Sequence, residues 1–131
     1  MPSFLTPFAD RIYAVFRIVV GFLFACHGAQ KVLGVFGGPP AEMPVPMAFV
    51  VGGIELVGGA LVAIGLFGGW AAFICSGQMA VAYFLIHQKD GLFPIQNHGE
   101  LAALYSFVFL LIAVRGSGMW SVDATRTSPD R

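Results

Sequence analysis

The fold class this sequence predicts is an all-α, polytopic membrane protein, a bundle of four transmembrane helices with both termini in the cytoplasm. Three observations predict it. Of 131 residues, 57% are hydrophobic and only 11% charged, with a mean hydropathy of +0.81. Soluble domains carry about 25% charged residues, so this chain cannot cover a water-facing surface. Second, its apolar segments approach the roughly 20 residues that a bilayer crossing needs and are separated by Gly- and Pro-rich breaks. Third, the run from Met47 to Cys75 holds a single charged residue, Glu55. The formal net charge is zero and no basic run is present, which gives nucleic acid no footing. A chain of this size is one domain, 1–123, followed by a polar tail, 124–131, expected to be disordered.

The first helix spans about 12–36, where Gly37-Gly38-Pro39-Pro40 stops it. No small-residue cleavage site follows its apolar core, so it is a retained span and not a signal peptide. Pro46 suits the first turn of the second helix, about 46–66, because its missing N–H costs nothing there. Gly65-Leu66-Phe67-Gly68-Gly69 makes a tight turn into the third helix, about 70–87, with Trp70 at the interface. A loop containing Pro94 and Asn97-His98 leads to the fourth helix, about 99–114. Arg11, Arg17, Arg115, Arg126 and Arg131 accompany the terminal segments, and Lys31 and Lys89 lie at the opposite loops. The positive-inside rule then places both termini in the cytoplasm. The two halves share a faint likeness, with His27 and Lys31 before Gly-Ile-Glu-Leu, and His87 and Lys89 before Gly-Glu-Leu.

Glu55 is the organising feature. An ionised carboxylate in hydrocarbon faces protein and takes a partner. Gly52, Gly58 and Gly59 share its side of the helix at 100° per residue, which lets a neighbouring helix come close. At about 1.5 Å per residue, Glu55 lies on the order of 10 Å below the outer boundary, the depth of His27 and one turn from Gln30 and Lys31. Its partner is therefore His27 or Lys31. Arg17 is too deep, and is expected to snorkel to the inner interface or to pair near Arg115 and the tail. Depth also gathers His87, Glu100, His98 and Tyr83, so the expected polar pocket has Glu55, His27, Lys31, His87 and Glu100 as candidate ligand- or proton-handling residues, with Gln30, Tyr83 and His98 as secondary lining. Gln78, nine residues before His87, falls on the opposite face and is expected to make a separate hydrogen bond. Plainer roles compete: Glu55 in a packing ion pair, His27 as a bonded core residue, and Glu100 in a capping box with Asn97 as N-cap.

No helix carries a metal-binding spacing of His and Glu, so no metal ligands are assigned. Cys26 and Cys75 lie at different depths, beyond the roughly 7 Å reach of a disulfide. Protonatable groups beside an apolar pocket suit a quinone, whose reduction needs proton donors.

Arg17 with Gly21-Phe22-Leu23-Phe24 and His27-Gly28-Ala29-Gln30-Lys31, then Gly53-Ile54-Glu55-Leu56-Val57-Gly58-Gly59, Asn97-His98-Gly99-Glu100-Leu101 with Leu104-Tyr105, and Gly116-Ser117-Gly118-Met119-Trp120-Ser121-Val122-Asp123, resemble in order the DoxX family. The resemblance implies a small four-helix protein of a prokaryotic plasma membrane, associated with quinone-linked redox chemistry or oxidative stress, as a subunit of a membrane oxidoreductase complex. The cofactor it implies is quinone; its partners are the bilayer, oxidoreductase subunits and further copies of the chain. A non-catalytic anchor subunit and a small-molecule permease are the other readings the sequence admits.

Overall fold

The computed structural model describes residues 2–126. Among them the fold is entirely helical: α1 (Ala9–Leu33), α2 (Val45–Ile64), α3 (Gly68–Ala82), the short α4 (Pro94–Asn97), α5 (Glu100–Arg115) and the short α6 (Val122–Arg126). Three helical runs, Thr6–Leu33, Val45–Ile64 and Gly68–Asp90, are long and apolar enough to cross a membrane. The 16 residues of α5 extend about 24 Å at 1.5 Å per residue.

Backbone chemistry sets the ends. α1 stops at Leu33 instead of 36 because Gly34 takes the left-handed conformation that terminates helices. Gly65 does the same for α2, donating its N–H back to the last turn. After Ala82 the third helix widens into a π turn, Tyr83–His87, and then tightens into a 3-10 turn, Gln88–Asp90. Two short helices appear where irregular chain is expected, α4 and α6. Residues 124–126, placed by the sequence in a disordered tail, complete α6, whose first turn is capped by Ser121 Oγ accepting from the Ala124 N–H at 3.1 Å. Residues 127–131 lie outside the described part.

The bundle is built from two antiparallel pairs, α1 with α2 and α3 with α5, joined along α2 and α3. The first pair is in backbone contact. A Cβ at Gly21 would lie 2.5 Å from the Ala63 nitrogen, and one at Gly59 would lie 2.5 Å from the Ala25 nitrogen. Seven residues along, one at Gly28 would collide with Leu56 and one at Gly52 would lie 2.6 Å from Lys31 Cβ. Small residues at this seam permit the approach. Gly58 faces elsewhere: its added Cβ would meet Cys75 Sγ on α3 at 2.5 Å. The second pair is tied by reciprocal serines, Ser76 Oγ donating to the Ser106 carbonyl (2.7 Å) and Ser106 Oγ to that of Ser76 (3.2 Å). Phe24, Val62, Cys75, Phe109 and Ile112 fill the space between the pairs.

Arg17 does not snorkel: it is fully buried and bonds to the segment after α5, the second of the two places expected for it, with backbone carbonyls as its partners. Its Nη1 donates to the Val62 and Ala63 carbonyls at 2.7 Å each, and its Nη2 to those of Met119 (3.2 Å) and Trp120 (2.8 Å). The first two belong to the last turn of α2, whose carbonyls carry the negative end of the dipole and of which that of Val62 also accepts from the Gly65 N–H at 3.2 Å. The segment after α5 thus folds back under the bundle. There the Asp123 carboxylate accepts from the Phe67 N–H (3.0 Å), the Gly68 N–H (3.2 Å) and Ser117 Oγ (2.6 Å), capping the start of α3. The Asp123 N–H donates to the Gly65 carbonyl, and Tyr13 Oη to that of Gly116 at 2.6 Å. One end of the α2–α3 turn is held by a cation and the other by an anion.

Candidate functional site

Glu55 sits mid-helix on α2 and is only 3% exposed. The Gly28–Gly52 contact brings α1 close enough for Lys31 to reach it, with Nζ 2.6 Å from Oε2. Lys31, and not His27, is the cation at the carboxylate. Oε1 faces α3, where Gln78 Nε2 lies 3.4 Å away. The hydrogen bond expected of Gln78 is thus made to Glu55 itself and is not a separate one, while Gln78 stays out of the cavity lining that His87 joins. Gln78 Oε1 is buried and accepts no hydrogen bond among the described residues.

Beside this network lies a cavity of about 590 Å³. Lys31, Glu55, His27, His87 and His98 all contribute to its lining, with Phe24, Met79 and Tyr105 supplying apolar wall. Pro40, Glu42, Met43, Pro44 and Lys89 bring the α1–α2 and α3–α4 loops to it. Half-buried His27 stands edge-on to the Tyr105 ring, their centroids 6.3 Å apart, and Tyr105 stacks on Phe109 at 5.7 Å. His87 Nδ1 lies 3.2 Å from the Asn97 carbonyl. A carbonyl only accepts, so this bond puts the proton on Nδ1 and leaves Nε2 free to accept or bind a proton.

Three expected members lie elsewhere. Glu100 is exposed and lines a separate groove with His98. Gln30 donates to the Phe36 carbonyl at 3.1 Å, finishing the end of α1. Tyr83 backs the outer loop, its hydroxyl accepting from Asn97 Nδ2 at 3.2 Å. The capping box is also absent. Asn97 is fully buried, and its Oδ1 accepts from the Gly99 N–H at 2.8 Å while Nδ2 also reaches the Gly91 carbonyl at 3.0 Å. It braces the loop, and α5 starts at Gly99 without a side-chain cap. Tyr105 is the wall residue missed as a site candidate. Ala102, Tyr105, Phe109 and Ile112 recur at helical spacing, a signal for the inward face of α5.

Among the described residues no group of three His, Cys, Asp or Glu side chains is placed to hold a metal ion. The cavity instead offers a primary ammonium, a buried carboxylate and three imidazoles within apolar walls. Such an arrangement can bind a flat, partly polar ring and exchange protons with it.

The family model named DoxX matches residues 12–88. The chain belongs to the DoxX family. A relative described as an uncharacterized protein of Haemophilus influenzae is 44% identical over 126 residues, 91% of this chain and 93% of its own length. No solved structure gives a significant match. In this DoxX chain the matched stretch contains Lys31, Glu55, Gln78, His27 and His87. His98, Tyr105 and the Asp123 clamp lie beyond it, within a length that the Haemophilus relative shares almost entirely.

Proposed function

We propose that this DoxX protein crosses the plasma membrane four times with both termini in the cytoplasm, and that its outer cavity takes the headgroup of a quinone within an oxidoreductase assembly. One observation carries the reading: the buried Lys31–Glu55 pair forms part of the wall of a largely apolar cavity. Nζ has three donors, and Glu55 takes one. The rest are available to a ring carbonyl. A volume of about 590 Å³ is in the range of small-molecule pockets, roughly 300–1,000 Å³.

A quinone supplies acceptance of two electrons coupled to two protons, and the electrons come from a partner oxidoreductase subunit. The chain's own groups hold and move the protons. Lys31 balances the charge of Glu55 and presents a donor to the ring. Glu55 stores a proton, with Gln78 at its second oxygen. His87, steadied by the Asn97 carbonyl, connects the cavity to the outer loops, where Glu42 and Lys89 stand at the lining. For the fourth span, α5 is short, and a short span is accommodated by local thinning of the bilayer and by flanking residues. Arg11 and Arg115 lie at the inner end and Lys31 and Lys89 toward the outer, which fits the positive-inside rule.

The test is titration of the protein in nanodiscs with a tail-less benzoquinone, read by equilibrium binding. The double variant Lys31→Met/Glu55→Leu removes both charges together and so avoids stranding one. Wild-type protein is expected to bind saturably, and the double variant about tenfold or more weakly, the value of a charged hydrogen bond. Val114→Ala, at an exposed position away from the cavity, is expected to bind as wild type. Absence of saturable binding, or equal binding by the double variant, would refute the reading.

A further inference from the structure

We infer that the quinone enters from within the bilayer, and that its isoprenoid tail leaves the cavity sideways, over His98 and Leu101, into a groove along the outer surface of α5. This deepens the quinone reading and rests on it. A second cavity, about 790 Å³, lies where α4 meets α5. Pro94, Ile95, Leu104 and Phe107 line it. His98 and Leu101 line both this groove and the cavity that holds the Lys31–Glu55 pair, so the two spaces share a wall.

The backbone shows that the helical wall is interrupted there. Between His87 and Glu100 the chain abandons the regular helix, and His98 turns it into α5 with a left-handed φ of 59°. Non-helical backbone at membrane depth is tolerated where it lines a cavity. Buried Asn97 fixes this corner through three hydrogen bonds, so the His98 and Leu101 side chains form an outer sill on a rigid frame. Both are exposed on the outside. The groove has a polar end and an apolar run: Glu100 and His98 stand at the top of α5, and Leu104 and Phe107 follow on the same face. From Glu100 to Phe107 the helix advances about 10 Å, enough for the first units of a tail lying along α5. A lipid tail is as apolar as the groove, so the groove adds little affinity by burial. Its effect is positional: it aligns a membrane-borne ligand with its ring toward Lys31.

The experiment uses the full chain in nanodiscs with a benzoquinone bearing a short isoprenoid tail and a diazirine on its second unit. After illumination the labelled peptides are mapped by mass spectrometry. Labelling is expected to concentrate on Leu104–Phe107 and to fall when unlabelled tailed quinone is added. Labelling spread over outward residues of the other helices, such as Val57 and Ile74, would overturn the lateral route. So would α5 labelling that unlabelled quinone does not reduce, which marks an ordinary annular lipid position. Binding of the tail-less ring separates the two claims. If the ring binds saturably while the label spreads, the route fails and the pocket stands; if neither saturates, both fail. As a second variant, Leu104→Trp fills the groove from an exposed position outside the core. Because the groove acts on position, this variant is expected to move the photolabel of the tailed quinone off residues 104–107 and to leave binding of the tail-less ring unchanged. Weakened binding of the tail-less ring, or an unmoved label, would contradict the route.

Discussion

Removing Lys31 alone leaves the Glu55 carboxylate buried with only the distant Gln78 amide beside it, and a stranded buried charge is costly. Lys31→Met is therefore expected to lower stability by about 3 kcal/mol, measured by denaturant unfolding in detergent, with much of the loss recovered in Lys31→Met/Glu55→Leu. A double variant no more stable than the single one would show that the pair carries no such strain. Arg17 poses a different residue-scale problem, since one guanidinium serves four carbonyls from two distant segments. Lysine keeps the charge but lacks the planar fork that spans them. Arg17→Lys is expected to destabilise by at least about 3 kcal/mol; wild-type stability would contradict the assigned role. The sequence offers Glu55 its choice of His27 or Lys31 through depth alone. Depth does not distinguish side chains one turn apart, so the final pairing needs the close α1–α2 contact. Arg17 is read only in part: its bonding near the tail is expected, but the backbone carbonyls that receive it leave no signature in a residue pattern.

At the scale of elements, the α1–α2 seam depends on the absence of side chains. Gly28→Val would push a branched side chain into α2 at Leu56, with an expected loss of about 2 kcal/mol or more and displacement of Lys31 from Glu55. Gly53→Ala is the control, because an added Cβ there meets nothing within 4 Å. It is expected to be neutral or to stabilise by up to about 1 kcal/mol through helix propensity. Comparison of unfolding midpoints checks both, and similar losses at the two positions would dismiss the seam. Hydropathy makes the long apolar helices legible, and Gly34 and Gly65 mark stops within two or three residues. The π turn at Tyr83–His87 is not legible. It depends on how the third helix meets the loop that follows it, a tertiary contact that leaves no mark on residue spacing. The capping box fails likewise, because Asn97 spends its side chain on Gly91, Tyr83 and Gly99.

For the whole molecule, the segment 116–123 locks the end of the bundle opposite the cavity, and acid should test it. The Ser117 hydroxyl, then the Phe67 and Gly68 N–H groups and Arg126, hold the Asp123 carboxyl below its usual 3.8. A carboxyl with a lowered folded-state pKa contributes stability that is present above the unfolded value and lost as pH falls through the folded one. The advantage of wild type over Asp123→Ala is therefore expected to be constant near neutrality, to begin to fall at about pH 3.8 and to shrink further as pH drops through the lower folded-state value, as thermal unfolding across pH would show. A constant difference down to strong acid would contradict it. With the clamp at that end and the Lys31–Glu55 cavity at the other, the proposed function divides the molecule into a structural end and a chemical one. The most direct test of that division is infrared difference spectroscopy on the nanodisc-embedded protein as bound quinone is reduced at an electrode. The account predicts a change in the carboxyl bands that disappears in Glu55→Gln and persists in Asp123→Asn. A spectrum without carboxyl change, or one that Glu55→Gln leaves intact, would contradict it.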